Sequence, residues 1–307
     1  MSAEDQFCSA MEDAGYTPPS TIISDGKVHR FSPTGRRGDN AAWYVFHPDG
    51  IAAGIFGDFR SGMSQRWCAK AEHDLTEAER QSQLERIKAA QRIRDIEAVR
   101  KQGEAASTAM ALWDAAAPVV AHPHLTAKGV KPYGIRGDAH HLLVPMCDTA
   151  SKLHSLQFIG PDGVKRFMLG GRVKGCYHAI GRPNGLIYAC EGYATGATLH
   201  EATGHAVAVA FSAGNLLPVV VALRAKYPCL TLVVAADDDW KSPGNPGLEA
   251  AKRAAKAVGG LVVVPQFAAA RPDKATDFND LAALAGLPAV RECLAANKGA
   301  ANADLDK

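Results

Sequence analysis

Leu186-Ile187-Tyr188-Ala189-Cys190-Glu191-Gly192-Tyr193-Ala194-Thr195-Gly196 is an apolar run that ends abruptly in a carboxylate and a glycine. Further along, Leu230-Thr231-Leu232-Val233-Val234-Ala235-Ala236 repeats the device and ends in Asp237-Asp238-Asp239. Short, unbroken apolar runs of this kind read as strands buried on both faces. Around them, the predicted helices Ala197–Thr203, Leu217–Lys226 and Gly247–Val258 alternate with the predicted strands Ala206–Phe211 and Leu261–Val264. That alternation predicts an α/β fold, a Rossmann-like parallel sheet with flanking helices. Ligands of an open α/β sheet bind in the crevice beyond the C-terminal strand ends. Glu191, Asp237 and Asp239 would meet there, and carboxylates brought together repel one another unless a divalent cation lies between them. The pattern points to Mg²⁺ and a phosphate-bearing substrate.

Composition narrows the setting. The chain has 307 residues, 47% hydrophobic and 21% charged, which suits one large or two modest globular domains. No stretch approaches the roughly 18 apolar residues of a membrane span, so no membrane partner is expected. The acidic start Met1-Ser2-Ala3-Glu4-Asp5 is not followed by an apolar core and does not read as a secretory leader. A bacterial cytoplasmic location is the expectation. Seven scattered cysteines without a C-x-x-C pair fit neither a disulfide framework nor a zinc ribbon. His122, His124, His140 and His141 lack cysteine partners at zinc spacing, so no zinc is expected.

Net charge is only +2, but its distribution is uneven. Residues 118–190 carry nine Lys or Arg against three Asp, immediately before the acidic site. A basic track beside the chemistry is what nucleic-acid binding requires, whatever the overall charge.

The chain divides by pattern. Residues 1–73 read as a small β-rich module without zinc, with strands at Val28–Phe31, Ala42–Phe46 and Ile51–Phe59 and a turn at His47-Pro48-Asp49-Gly50. Its Arg30, Arg36, Arg37, Arg60 and Arg66, with Phe31, Trp43, Tyr44, Phe46, Phe56, Phe59 and Trp67, admit two readings. They are a stacking platform for single-stranded DNA or, for most of the aromatics, the module's core. Residues 74–117 read as a solvated helical connector. Thr76 and Glu79 suggest a capping box, Leu84, Ile87, Ala90, Ile93, Ile96 and Val99 form a stripe, and Gly103 is a point of interruption. Residues 118–185 are a basic, strand-rich part with strands at Leu142–Met146, His154–Ile159 and Lys165–Leu169. Residues 186–287 are the parallel sheet, and 288–307 a C-terminal helix and frayed tail.

Thr276-Asp277-Phe278-Asn279-Asp280-Leu281 adds two carboxylates after the last strand. Asp277 is a candidate metal ligand or, alternatively, a helix N-cap with Asp280 in the first turn. Asp238 reads as solvated.

Strand–Glu-Gly, strand–Asp-x-Asp and a following Gly247-Leu248-Glu249-Ala250-Ala251 helix start together resemble the Toprim domain of primases, topoisomerases and some nucleases. Glu191-Gly192-Tyr193-Ala194-Thr195-Gly196 is similar to the EGYAT(A/G) signature of plasmid- and phage-encoded DNA primases, as is Asp277-Phe278-Asn279-Asp280-Leu281. The likeness extends upstream through Leu125–Val130, Leu143–Met146 and Val164–Phe167, and covers roughly residues 120–285. It implies synthesis of short RNA primers on a single-stranded DNA template from ribonucleoside triphosphates, for plasmid or phage replication or conjugation. Asp237 and Asp239 would hold Mg²⁺ or Mn²⁺, and Glu191 would be general base or further ligand. Lys128, Lys165, Arg166, Arg172 and Lys174 would touch template or triphosphate. No P-loop is present, so a separate helicase is the expected partner. Two other readings use the same residues: a Toprim nuclease, and a non-enzymatic single-stranded DNA-binding accessory protein.

Overall fold

The computed structural model describes residues 2–303 apart from 37, 59–62, 71–75, 139 and 269, with the backbone alone for some residues between 77 and 94 and for 297–303. The chain divides into two compact units, residues 1–95 and 96–307.

In the first unit, α1 (Ala3–Asp13) precedes the strands β1 (His29–Phe31), β2 (Ala42–His47), β3 (Ala53–Asp58) and β4 (Ser64–Cys68), which form an antiparallel sheet in that order. α1 is not among the elements expected above, although Ser2 and Asp5 form a capping box at its start. Phe7 and Met11, one turn apart, are buried with Phe31, Tyr44, Phe46 and Phe56. The ring of Phe7 lies 5.0 Å from that of Phe46 and 5.7 Å from that of Phe56. These aromatics are therefore a core. Arg30, Arg36 and Arg66 are exposed, while Arg37, Phe59 and Arg60 lie outside the described residues.

α2 (Glu77–Ala115) is one helix that runs uninterrupted through Gly103. A single mid-helix glycine costs only about 1 kcal/mol against alanine, too little to break a helix anchored by packing. The side chains of Glu79, Leu84, Ile87, Ala90 and Ile93 lie outside the described residues. The expected apolar stripe does not set the packing farther on, because Ile96 and Val99 are 70% and 69% exposed. Instead Ala109 and Trp113 join a cluster with Leu143, Leu153 and Leu156. Arg136 donates from Nη1 to the Trp113 carbonyl at 2.7 Å and lies 4.8 Å over the Trp113 ring. The end of α2 is thus built into the second unit rather than serving as a spacer. A fragment starting at Ile96 is expected to fold. One starting at Ala117 should melt several degrees lower or aggregate, and thermal melts of the two fragments compare them directly.

The second unit contains two sheets. β5 (Ala117–Pro118) leads through α3 (Pro123–Lys128) to β6 (Arg136–Gly137), β7 (Leu142–Cys147), β8 (Leu153–Ile159) and β9 (Lys165–Phe167), an antiparallel meander with β9 at its edge. The other sheet follows from β10 (His178–Ile180), β11 (Leu186–Cys190), α4 (Tyr193–Thr203), β12 (Ala206–Val209), α5 (Ala213–Lys226), β13 (Thr231–Ala235), α6 (Pro246–Ala257), β14 (Leu261–Val263) and α7 (Phe278–Ala303). Its order is β10-β12-β11-β13-β14, parallel except for β10, which pairs antiparallel to β12 at the edge.

Alternation along β11 covers both faces of this sheet. Tyr188 and Cys190 pack with α4 and α7 residues such as Leu199 and Phe278, and Ile187 and Ala189 with α5 and α6 residues such as Val219 and Ala251. Each fully buried large apolar side chain contributes roughly 1.5–3 kcal/mol. α4 begins four residues earlier than expected. It approaches the sheet at Gly196, where a Cβ would stand only 2.6 Å from Val209. α7 breaks at Gly286, whose φ of 80° is left-handed, and its second part returns Val290, Cys293 and Leu294 to the core. Residues 304–307, the end of the expected frayed tail, lie outside the described residues.

Candidate active site

β11 and β13 are neighbours, with Leu186 opposite Thr231 and Ala189 opposite Val234. In that register Glu191 and Asp237 leave the sheet side by side at its C-terminal edge. Burial, and then the charge of Asp239, push the Glu191 carboxyl up to about 7, against the opposing pull of the Ala213 N–H and of Lys165. Asp237 is pushed well above the usual carboxylate range, first by burial and then by Glu191, Asp277 and Asp239. Glu191 Oε1 and Asp237 Oδ1 are buried and have no hydrogen-bond partner. Orphaned buried carboxylate oxygens are costly unless something positive meets them.

The Asp triplet alternates in role, as a chain leaving a strand should. Asp238 is not solvated. It accepts from Arg271 Nη1 at 2.5 Å and from Asn245 Nδ2 at 2.6 Å, and its carbonyl accepts from Arg271 Nη2 at 2.8 Å. Arg271 in turn lies over the Phe267 ring at 4.2 Å. Asn245 holds the other side of the loop. Its Oδ1 accepts from the Asp239 N–H at 2.8 Å while also capping α6 through the Leu248 N–H. Gly247 N–H donates to Asp239 Oδ2 at 3.1 Å. A Cβ at Gly247 would lie 2.7 Å from the Asp237 carbonyl, so only glycine lets the start of α6 come this close.

Asp277 is an N-cap. Its Oδ1 accepts from the Asp280 N–H at 2.8 Å, and Asp280 Oδ2 accepts from the Thr276 N–H at 2.9 Å. Asp277 Oδ2 accepts from the buried hydroxyl of Thr195 at 2.9 Å. Each of its oxygens therefore already has a partner, and Asp277 adds charge to the site without an orphaned atom. Gly192 has extended backbone, φ −99°. It caps α4 without a side-chain hydrogen bond.

The basic candidates separate. Lys165 lies at the site: its Nζ stands 3.8 Å from where a Cβ on Gly192 would be, and its charge acts on both Glu191 and Asp237. Arg166, the next residue on β9, points to the opposite face and is exposed. Lys128 Nζ is 3.6 Å from Asp280 Oδ1. Arg172 turns back to donate to the Lys174 carbonyl at 3.1 Å, and Lys174 is exposed. Tyr193, the first residue of α4, ties that helix to the loop between α3 and β6. Its hydroxyl accepts from the Tyr133 N–H at 2.7 Å and donates to the Lys131 carbonyl at 3.1 Å.

Residues 186–287 match the family model described as the Toprim domain. This part of the chain is a Toprim domain. Outside it, the likeness continues into known proteins. A DNA primase TraC of Escherichia coli is 37% identical over 285 residues, covering 86% of this chain and 26% of that protein. A second DNA primase TraC of Escherichia coli is 35% identical over 294 residues, covering 88% of this chain and 20% of that protein. The chain thus spans about a quarter or less of the length of these relatives. The DnaG primase catalytic domain bound to ssDNA superposes with a TM-score of 0.43 at 11% identity, over 63% of this chain and 78% of that one, too loose a likeness to argue from.

Among the described residues, no group of three or more His, Cys, Asp or Glu side chains stands ready to hold a metal ion. The donor set of the Toprim domain nevertheless fits a divalent cation: hard carboxylate oxygens, two of them orphaned, in a surplus of negative charge. A bound cation would draw them together. Of the histidines weighed as metal ligands, His122 and His124 each keep a buried Nε2 without a hydrogen-bond partner, and no cysteine stands in a metal-holding group with them among the described residues. His122 Nδ1 accepts from the His124 N–H at 3.2 Å, and the N–H groups of His140 and His141 both donate to Asp138 at 2.7 Å. Among the described residues no helix is long and apolar enough to cross a membrane.

Asn245, Arg271 and Thr195 were not singled out from the sequence. Asn245-Pro246 carried a signal, an N-cap residue followed by proline at the first helical position. Arg271 carried none, because its partner Asp238 is distant in sequence.

The raised carboxyls fix how stability depends on pH. Glu191 binds its proton more tightly in the folded protein than in the unfolded chain. Its burial therefore favours folding below pH 4.5, and that advantage is lost as pH rises through about 7. Without divalent cations, the melting temperature should fall between pH 5 and 8. Glu191→Gln should flatten this slope, and so should Mg²⁺. An equal slope in the variant would mean that Glu191 is not the group titrating.

Proposed function

We propose that this chain is the catalytic part of a DNA primase, joining ribonucleoside triphosphates into short RNA primers on single-stranded DNA. The observation that carries this reading is the pair of orphaned buried carboxylate oxygens on Glu191 and Asp237, with Lys165 set against them. Relatedness to the TraC primases over most of the chain supports it.

In this reading Asp237 and Asp239 hold a divalent cation, Mg²⁺ or Mn²⁺, with Asp277 adding charge behind them. When bound, the cation supplies positive charge opposite the triphosphate and the leaving pyrophosphate. Glu191, beside them at the strand ends, is either a further ligand of that cation or the base that takes the proton of the attacking 3′-hydroxyl. Asn245, Arg271 and the Gly247 N–H hold the Asp loop rigid, so the charge is arranged before substrate arrives. Lys165 offers its ammonium to a phosphate at the mouth of the crevice, while Lys128, Arg166, Arg172 and Lys174 extend a basic track for template. The setting is the bacterial cytoplasm, with a helicase supplying unwound template for plasmid or phage replication or conjugation. No zinc enters the scheme.

The test is incubation with single-stranded DNA, Mg²⁺ or Mn²⁺ and labelled ribonucleotides. Template-dependent RNA oligomers support the reading. Cleavage of the DNA would assign the site to a nuclease instead, and binding without either product to an accessory protein. Within the assay Lys165 and Arg166 should part company. Lys165→Ala should cost tenfold or more in nucleotide coupling, as the loss of a charged contact to a phosphate in a partly buried site. Arg166→Ala should act mainly on DNA affinity and reduce its log–log salt slope by about 0.7, the share of one single-strand phosphate contact.

A further inference from the structure

Beside the carboxylates stands an aromatic pair that the chemistry above does not use. Phe167 follows Lys165 by two residues on β9, so both side chains leave the same face of an edge strand. The Phe167 ring meets that of Phe211 edge to face, with centroids 6.2 Å apart. Phe211 comes just after β12, and two residues before Ala213, whose N–H acts on Glu191.

Phe167 is not part of the core, and Phe211 packs one side against it while remaining partly open. Phe167 is 43% exposed, and Phe211 is only partly buried. Phe211 also has φ 72°, a left-handed backbone that a bulky side chain adopts only under strain. A glycine there would be free of that strain and would remove the ring. The residue present instead sets an aromatic face at the rim of the crevice.

We propose that Phe167 and Phe211 form a stacking site for the base of the incoming ribonucleoside triphosphate, while Lys165 and the carboxylate cluster take its phosphates. This rests on the reading of the site as a nucleotide-joining one. Charge and shape select the occupant. Residues two apart on a strand are separated by roughly 6.5–7 Å, so an ammonium for phosphate and a π-face for a base are presented within the span of one nucleotide. The carboxylates require a cation, and a triphosphate brings one with it. A stacking face accepts every base, which suits an enzyme that takes its sequence from a template rather than from its own side chains.

The 307-residue chain is tested with two probes in the presence of Mg²⁺, ATP and inorganic tripolyphosphate, with affinities measured by calorimetry. Phe167→Ala should weaken ATP by about tenfold or more, the loss of one base–aromatic stack, and leave tripolyphosphate unchanged. Phe167→Trp should restore ATP affinity. Phe211→Gly should weaken ATP in the same way, with the relief of its left-handed backbone offsetting part of the packing that the ring makes against the core. Equal loss of both probes in Phe167→Ala would overturn the proposal, because the ring would then only support the phosphate site. Unchanged ATP binding with weakened binding of a single-stranded oligodeoxynucleotide would also overturn it and assign the rings to template. If the unaltered protein binds neither ATP nor tripolyphosphate, the nucleotide-joining reading falls, and the stacking site with it.

Discussion

Asp237→Asn is expected to abolish primer synthesis, by at least about a hundredfold, while leaving a protein that melts at the same temperature or higher. The two effects have one cause. Asp237 ends a buried strand with an unpartnered oxygen, and burial together with Glu191, Asp277 and Asp239 makes its charge unwelcome in the folded state. Asparagine keeps the shape and removes the repulsion, so folding has nothing to lose. Catalysis does lose, because a cation at a phosphoryl centre is worth several kcal/mol and each 1.4 kcal/mol is a factor of ten. Melting curves with and without Mg²⁺ provide a readout independent of activity. Mg²⁺ should raise the melting temperature of the unaltered protein by linkage and have little effect on the variant. Near-normal activity of Asp237→Asn at limiting Mg²⁺ would move the metal elsewhere.

Glu191→Gln should lower the rate roughly 10²–10⁴-fold, the contribution of a positioned general base. In the cation-free protein, burial and the charge of Asp239 raise the carboxyl to about 7. A rate that rises with pH through about 7 in the unaltered protein and loses that limb in the variant would assign the base role. A loss that added Mn²⁺ partly restores would assign Glu191 to the metal instead. A loss below tenfold would leave it structural. Tyr193→Phe, two residues on at the start of α4, is the control. It removes one hydroxyl that joins α4 to the loop between α3 and β6, and should lower stability while changing the rate much less.

Much of this was legible in the chain itself. The strand limits Leu186–Cys190 and the carboxylate after them follow from an apolar run closed by Glu191-Gly192, and buried strands leave few alternatives. The role of Asp277 as N-cap stood among the readings open at that stage, because a cap is a local device. The connector was harder. The Leu84–Val99 stripe suggested a solvated rod, but the residues that dock α2 are the alanines and Trp113 near its end, and alanine spacing says little about burial. α1 was overlooked because its apolar face is only Phe7 and Met11.

Asp238 shows why the remainder stayed hidden. Three consecutive aspartates look equivalent in sequence, yet alternation at a strand end turns the middle one toward Arg271, an ion pair that spans 33 positions of chain. Lys165 and Arg166 likewise look interchangeable, and the register of one edge strand brings the first to the carboxylates and turns the second away.

Local pattern, then, determined what depends on neighbours in the chain: the α/β alternation, the strands that end in carboxylates, the caps, and the chemistry those carboxylates call for. Packing alone decided which strand lies beside which, and so which charges share a crevice and which oxygens stand orphaned. It also decided that Phe167 and Phe211 meet at the rim. The physical reason is that hydrogen-bonded periodicity is written residue by residue, whereas burial and Coulomb repulsion depend on distances that only the folded chain sets.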